Sequence, residues 1–114
     1  METGKDYLLG NGNTRATYLG LSKRLNGGLC HRFAREEKVS ETIVEVEMPI
    51  EDTTLTREGR VINESGAYMK RRWNPNVIKG KDSSCKSQRL FWRIVCEGYD
   101  ELLYELLNAR GELN

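Results

Sequence analysis

Apolar and β-branched residues gather in short runs along the first part of the chain. Asp6-Tyr7-Leu8-Leu9 and Thr14-Arg15-Ala16-Thr17-Tyr18-Leu19 predict two strands. Gly10-Asn11-Gly12-Asn13 between them supplies residues that tolerate positive φ, so the two runs form a hairpin. Ser22 is a suitable N-cap, and Leu25, Leu29 and Phe33 recur at helical spacing, which predicts a helix to about Glu36. Gly27-Gly28 weakens that helix by roughly 1 kcal/mol each relative to alanine. From Glu41 to Pro49, Val44, Val46 and Met48 alternate with Ile43, Glu45 and Glu47, the period of a half-buried strand. Asp52 or Thr53 then caps a second predicted helix carrying Leu55, Val61, Ile62, Tyr68, Met69 and Trp73, kinked at Ser65-Gly66 and ended by Asn74-Pro75-Asn76. Val77–Ser87 reads as a polar loop and Leu90–Cys96 as a strand. Tyr99–Arg110 reads as an amphipathic helix with Leu102, Leu103, Leu106 and Leu107 inside and Gly111 as its C-cap. The predicted order is ββαβα with an appended strand and helix, an α+β fold in a single domain over residues 1–114.

Composition narrows the class. With 114 residues, 38% hydrophobic and 31% charged, the chain is expected to be one globular domain with a charged surface. No stretch approaches the ~20 apolar residues that cross a bilayer, and Met1–Asp6 lacks the basic start and apolar run of a secretory signal, so a cytoplasmic location is expected. Cys30, Cys85 and Cys96 are an odd number without a CxxC pair, which reads as free thiols. The net charge is +1, but the charges are segregated. Residues 14–34 and 53–93 are basic, and 36–52 and 97–112 are mostly acidic, which suggests one positive and one negative face.

Phosphate-loop, GxSxG and HExxH motifs are absent, and His31 is the one histidine. What remains is a spaced set of polar residues. Tyr7 (in Lys5-Asp6-Tyr7) and Tyr18 (in Tyr18-Leu19-Gly20) lie eleven positions apart on the hairpin. Leu21-Ser22-Lys23-Arg24-Leu25 opens the predicted helix, and Glu64 is followed twelve positions later by Asn76, through Tyr68, Trp73 and Pro75. On these residues the chain resembles the GIY-YIG nuclease superfamily over residues 5–77. That family opens with a hairpin carrying its two name motifs, then a helix with an essential arginine, then a helix with a metal-binding glutamate. Lys5 and Asp6 replace the Gly and Ile of the first motif, and Gly28 stands at the usual place of the arginine.

The resemblance implies a metal-dependent DNA endonuclease that hydrolyses phosphodiesters with one Mg²⁺. Glu64 would hold the cation, with Glu58 as its rival. Arg32 would bind the scissile phosphate, with Arg24 and His31 in reserve, and Tyr7 or Tyr18 would orient or deprotonate water. DNA contacts are expected from Lys23, Arg24, His31, Lys70, Arg71, Arg72, Asn76 and Lys79. Two other readings stand beside it. One is a non-enzymatic regulator or phage-type inhibitor that binds a protein partner through Glu41, Glu45, Glu47, Glu51 and the last helix. The other is a GIY-YIG-like domain that binds DNA without cutting it. The leucine-rich last helix is also a candidate homodimer contact.

Overall fold

A computed structural model describes residues 1–23, 27–40, 42–66, 68–73 and 86–113, with helix side chains described from Gly98 onward. Among the described residues the fold is a seven-stranded mixed sheet and one α-helix, with strand order β5-β6-β1-β2-β3-β4-β7. The strands are β1 (Asp6–Leu9), β2 (Thr14–Lys23), β3 (Leu29–Glu37), β4 (Thr42–Pro49), β5 (Thr53–Leu55), β6 (Arg60–Asn63) and β7 (Met69–Trp73), and the helix is α1 (Lys86–Ala109). Each pair of neighbours is antiparallel except β1 and β6, which run parallel through Leu8↔Arg60 and Leu9↔Val61. Among the described residues no helix is long and apolar enough to cross a membrane.

This overturns the predicted ββαβα frame. The hairpin and the strand at 42–49 are present, and the last helix ends close to its predicted place. The helix expected from Ser22 to Glu36 is instead the end of β2, a glycine turn and β3. Gly27 adopts φ +86°, a left-handed conformation foreign to a helix, where only a weakened helix was expected. The spacing of Leu29 and Phe33, four residues, also places them on one face of a strand, so it does not distinguish the two periods. The second predicted helix is a 3₁₀ turn (Ile50–Asp52), β5, β6 and β7. Gly59 and Gly66, at φ +81° and +69°, reverse the chain between those short strands. The predicted strand at 90–96 is part of α1, because an apolar run without a proline joins a helix that is already nucleated downstream. Lys86 and Ser87 also begin that helix, and the rest of the predicted loop and the Asn74-Pro75-Asn76 stop lie outside the described residues.

The sheet buries both of its faces. On one, Tyr7, Ala16, Tyr18, Phe33, Val44, Val46, Met48 and Val61 form a continuous core. Tyr7, Tyr18 and Phe33 meet edge-on or tilted, with ring centroids 5.4–6.5 Å apart. On the other, Leu102 and Leu106 of α1 cover Leu19, Ala34 and Ile43. Gly98 lets the Trp73 ring approach the helix, since a Cβ there would sit 3.1 Å from the ring. The helix ends in a Schellman pair, Gly111 N–H to Asn108 C=O (3.1 Å) and Glu112 N–H to Leu107 C=O (2.9 Å). Arg110 then ties this end to β2 by donating to Thr17 Oγ1 at 3.0 Å.

Gly4 takes φ +89° beneath this helix end, and a Cβ there would fall on the Ala109 carbonyl. Gly10 (φ +67°) has open space around it. Gly4→Ala is therefore expected to cost about 2–3 kcal/mol in urea denaturation and Gly10→Ala only about 1 kcal/mol; equal losses would show that the N-terminal turn does not press on the helix.

Candidate functional site

The sheet separates the residues that the sequence joined into one centre. Tyr7 and Tyr18 lie buried in the aromatic core on one face. Arg32 is paired with Gly20 and Glu47 and projects to the opposite, helix-covered face. Glu64 is exposed in the turn after β6, where its backbone N–H donates to Asp52 C=O. Its rival Glu58 is exposed in the β5–β6 turn, held below the ordinary carboxylate range first by its own backbone and then by Thr56. Among the described residues no group of three or more histidine, cysteine, aspartate or glutamate side chains gathers as a metal site. Glu64 therefore belongs to no such group among the described residues. Lys23 is exposed at the end of β2, and Arg24, Asn76 and Lys79 lie outside the described residues.

Tyr18 is also in the wrong protonation state for a base. Tyr18 Oη meets His31 Nδ1 at 2.8 Å. Burial raises the phenol's pKa, and Tyr7 and Cys30 add to the effect. Burial lowers that of His31, helped by the N-terminal ammonium. Both shifts favour neutral partners, so one proton is shared between Tyr18 Oη and an uncharged imidazole, the ring tautomer setting which of them donates. Tyr7 Oη accepts from Glu2 N–H at 2.8 Å, which fastens the N-terminal segment over the cluster. Cys30 is buried and alternates with His31 along β3, its Sγ donating to Ser22 C=O at 3.5 Å.

Arg32 is a structural clamp. Its two Nη atoms donate to Glu105 of α1 at 2.7 and 3.0 Å, and Glu45 lies 3.5 Å away. Desolvation would lower its pKa, but Glu105 and then Glu45 and Glu47 outweigh it and hold the guanidinium charged. Glu45 is itself buried and its pKa raised by desolvation, with Arg32 and Arg71 pulling the other way. The acidic β4 and basic β7 therefore meet across the ladder, Glu45 opposite Arg71, and the charge blocks of the sequence interlock on this face instead of separating.

The opposite face carries a cavity of about 230 Å³. Leu9 of β1 and Lys70 of β7 both line it, although four ladder steps separate those strands, about 19 Å in a flat sheet. The sheet must curl for both to reach one hollow. Val44, Val46 and Met48 form its apolar floor, and Thr14, Arg35, Asn63, Tyr68 and Lys70 supply the polar lining. Arg72 shares this face through its pairing with Val44, whereas Arg71 faces the helix side with Trp73. Glu37 bridges Arg35 and Arg72 at 2.9 Å each. Desolvation acts to raise the Glu37 carboxyl, but bonds from Ser40, Thr42 and Arg35 and the charge of Arg72 hold it below its ordinary range. Among the described residues Lys70 forms no ion pair. Lys70 and Arg72 were singled out in the sequence, but Arg35 and Asn63 were not. The alternation of Val44, Val46 and Met48 marked one strand face without saying what it enclosed.

No protein-family model, curated protein or solved structure matches the chain.

Two expectations follow from the clamp. Arg32→Ala strands the buried Glu45 and is expected to cost about 3 kcal/mol in chemical denaturation, near the lower bound for breaking a buried pair because Glu105 is partly exposed; a substitution neutral for stability would refute the clamp. Because the folded pKa of Glu45 lies above its unfolded value, the folded state binds the extra proton between the two. Stability should then fall as pH rises from the ordinary glutamate range through the raised one. Glu45→Gln should flatten that decline, as read from denaturation midpoints across the window.

Proposed function

We propose that this protein binds single-stranded nucleic acid without cleaving it, on the concave face of its curled sheet. The observation that carries this is the joining, on one face, of an apolar strand floor with Arg35, Lys70, Arg72 and the 53%-exposed Tyr68. A phosphate backbone supplies the anions that such cations attract, and an exposed aromatic ring offers a surface for base stacking. A duplex presents its bases only as groove edges and is too stiff to enter a hollow of this size. The reading keeps the nucleic-acid partner that the GIY-YIG resemblance implied and drops the hydrolysis. What speaks against hydrolysis is the sheet between Arg32 and the two phenols, together with a protonated Tyr18.

Arg35, Lys70 and Arg72, less the Glu37 carboxylate that bridges two of them, leave two uncompensated charges and an expected slope of about −1.4 for the logarithm of affinity against the logarithm of salt, from the roughly −0.7 per neutralised phosphate of single strands. Fluorescence anisotropy with labelled oligonucleotides should show this slope, and Lys70→Glu should weaken binding several-fold. A salt-independent or absent signal would overturn the reading. Plasmid DNA incubated with the protein and Mg²⁺ should remain intact, and the Glu64→Ala variant should behave identically. Metal-dependent nicking that this variant loses would restore the nuclease.

A further inference from the structure

Resting on that reading, we infer that the cavity is a base-selective pocket that admits one nucleobase with an acceptor-rich edge, guanine above adenine. Asn63 ends β6 on the same face as Val61 and lines the hollow. Ser65 Oγ, whose one proton faces Asp52 Oδ2 at 2.9 Å, lies 3.2 Å from Asn63 Oδ1, while Asn63 Nδ2 is buried with no hydrogen-bond partner among the described residues. A buried amide donor left unpaired is costly to the free protein and is satisfied when an acceptor enters.

The rest of the lining has the same polarity. Arg35 and Lys70 are donors without acceptor capacity, and Arg35 uses only one terminal nitrogen on Glu37. Guanine presents O6 and N7, two acceptors side by side, whereas adenine places an amino donor beside its N7. An adenine in this hollow sets donor against donor. The volume agrees: about 230 Å³ is the space of roughly eight waters, close to one heteroaromatic base and far short of a whole nucleotide chain. Val44, Val46 and Met48 then back the hollow from the core side, and Tyr68 stands beside it as the exposed ring.

The test measures selectivity as a ratio. Anisotropy is recorded for an oligoadenylate and for the same oligomer carrying a single guanine, and free guanosine is titrated in an NMR experiment that follows the methyl groups of Val44, Val46 and Met48. The guanine-containing oligomer should bind about tenfold more tightly. In Asn63→Ala that ratio should fall towards one, and in Asn63→Asp, which keeps the oxygen beside Ser65 but removes the donor, it should fall further or invert. Circular dichroism melts of both variants confirm that they are folded, and a ratio unchanged in a folded Asn63→Asp overturns the pocket. Binding of both oligomers with equal affinity by the wild type overturns the base selection and leaves the nucleic-acid surface intact. If neither oligomer binds, the surface reading fails; guanosine-induced shifts at the three floor residues would then still uphold the pocket, and their absence would overturn it as well.

Discussion

Phe33 and Ala34 are neighbours on β3, point to opposite faces of the sheet, and are both wholly buried. That double burial is the constraint from which the rest of the molecule follows. Among the described residues a single helix is at hand, and it can cover only one side of a wide sheet from outside. Here α1 covers the side of Ala34, and the other side is hidden by the sheet bending over itself around the Tyr7–Tyr18–Phe33 cluster. The hollow beside that cluster is what remains where the bend is incomplete. The two faces consequently have different characters. One is locked by Arg32, Arg110 and their carboxylates; the other keeps an opening rimmed by cations.

How much of this was readable from residues alone depends on how local each signal is. The first hairpin was legible because Gly10-Asn11-Gly12-Asn13 has little other use than a turn. β4 was legible because three apolar residues strictly alternate with charged or branched ones. The final helix was legible because its paired leucines and Gly111 agree. β3 was not, because residues four apart satisfy both a helical and a strand period, and a Gly-Gly pair is compatible with a weak helix as well as with a reversal. The strands β5, β6 and β7 hold three to five residues each and draw their stability from neighbours distant in the chain. Nothing local compels them.

The candidate site was less legible than the fold, for a related reason. Its lining comes from β1, β2, β3, β4, β7 and the end of β6, and which side chains converge depends on sheet order and curl. The spacing of Tyr7, Tyr18, Arg32 and Glu64 along the chain suggested a common centre only on the assumption that Arg32 stood on a helix. Once that residue is on a strand, the pleat sends it away from Phe33 and from both tyrosines. Lys70 and Arg72 were noticed as part of a basic run, and the same pleat divides that run, giving its outer members to the open face and Arg71 to the helix side.

The parallel pairing of β1 with β6 has a further effect, on the order in which the chain can assemble. β1 through β4 form a meander of adjacent segments that can zip together as they leave the ribosome. The outer edge of β1 has no neighbour until the segment holding Arg60 and Val61 arrives, about fifty residues later. Throughout that interval a strand with unsatisfied amides and carbonyls lies open to other chains. Arg60, whose Nη1 donates to the carbonyls of Gly10 and Gly12 at 2.6 Å each, is the residue that latches this late arrival to the first turn. Of all the pairings in the sheet, this seam joins the strands farthest apart in the sequence, and its closure carries the largest loop-entropy cost.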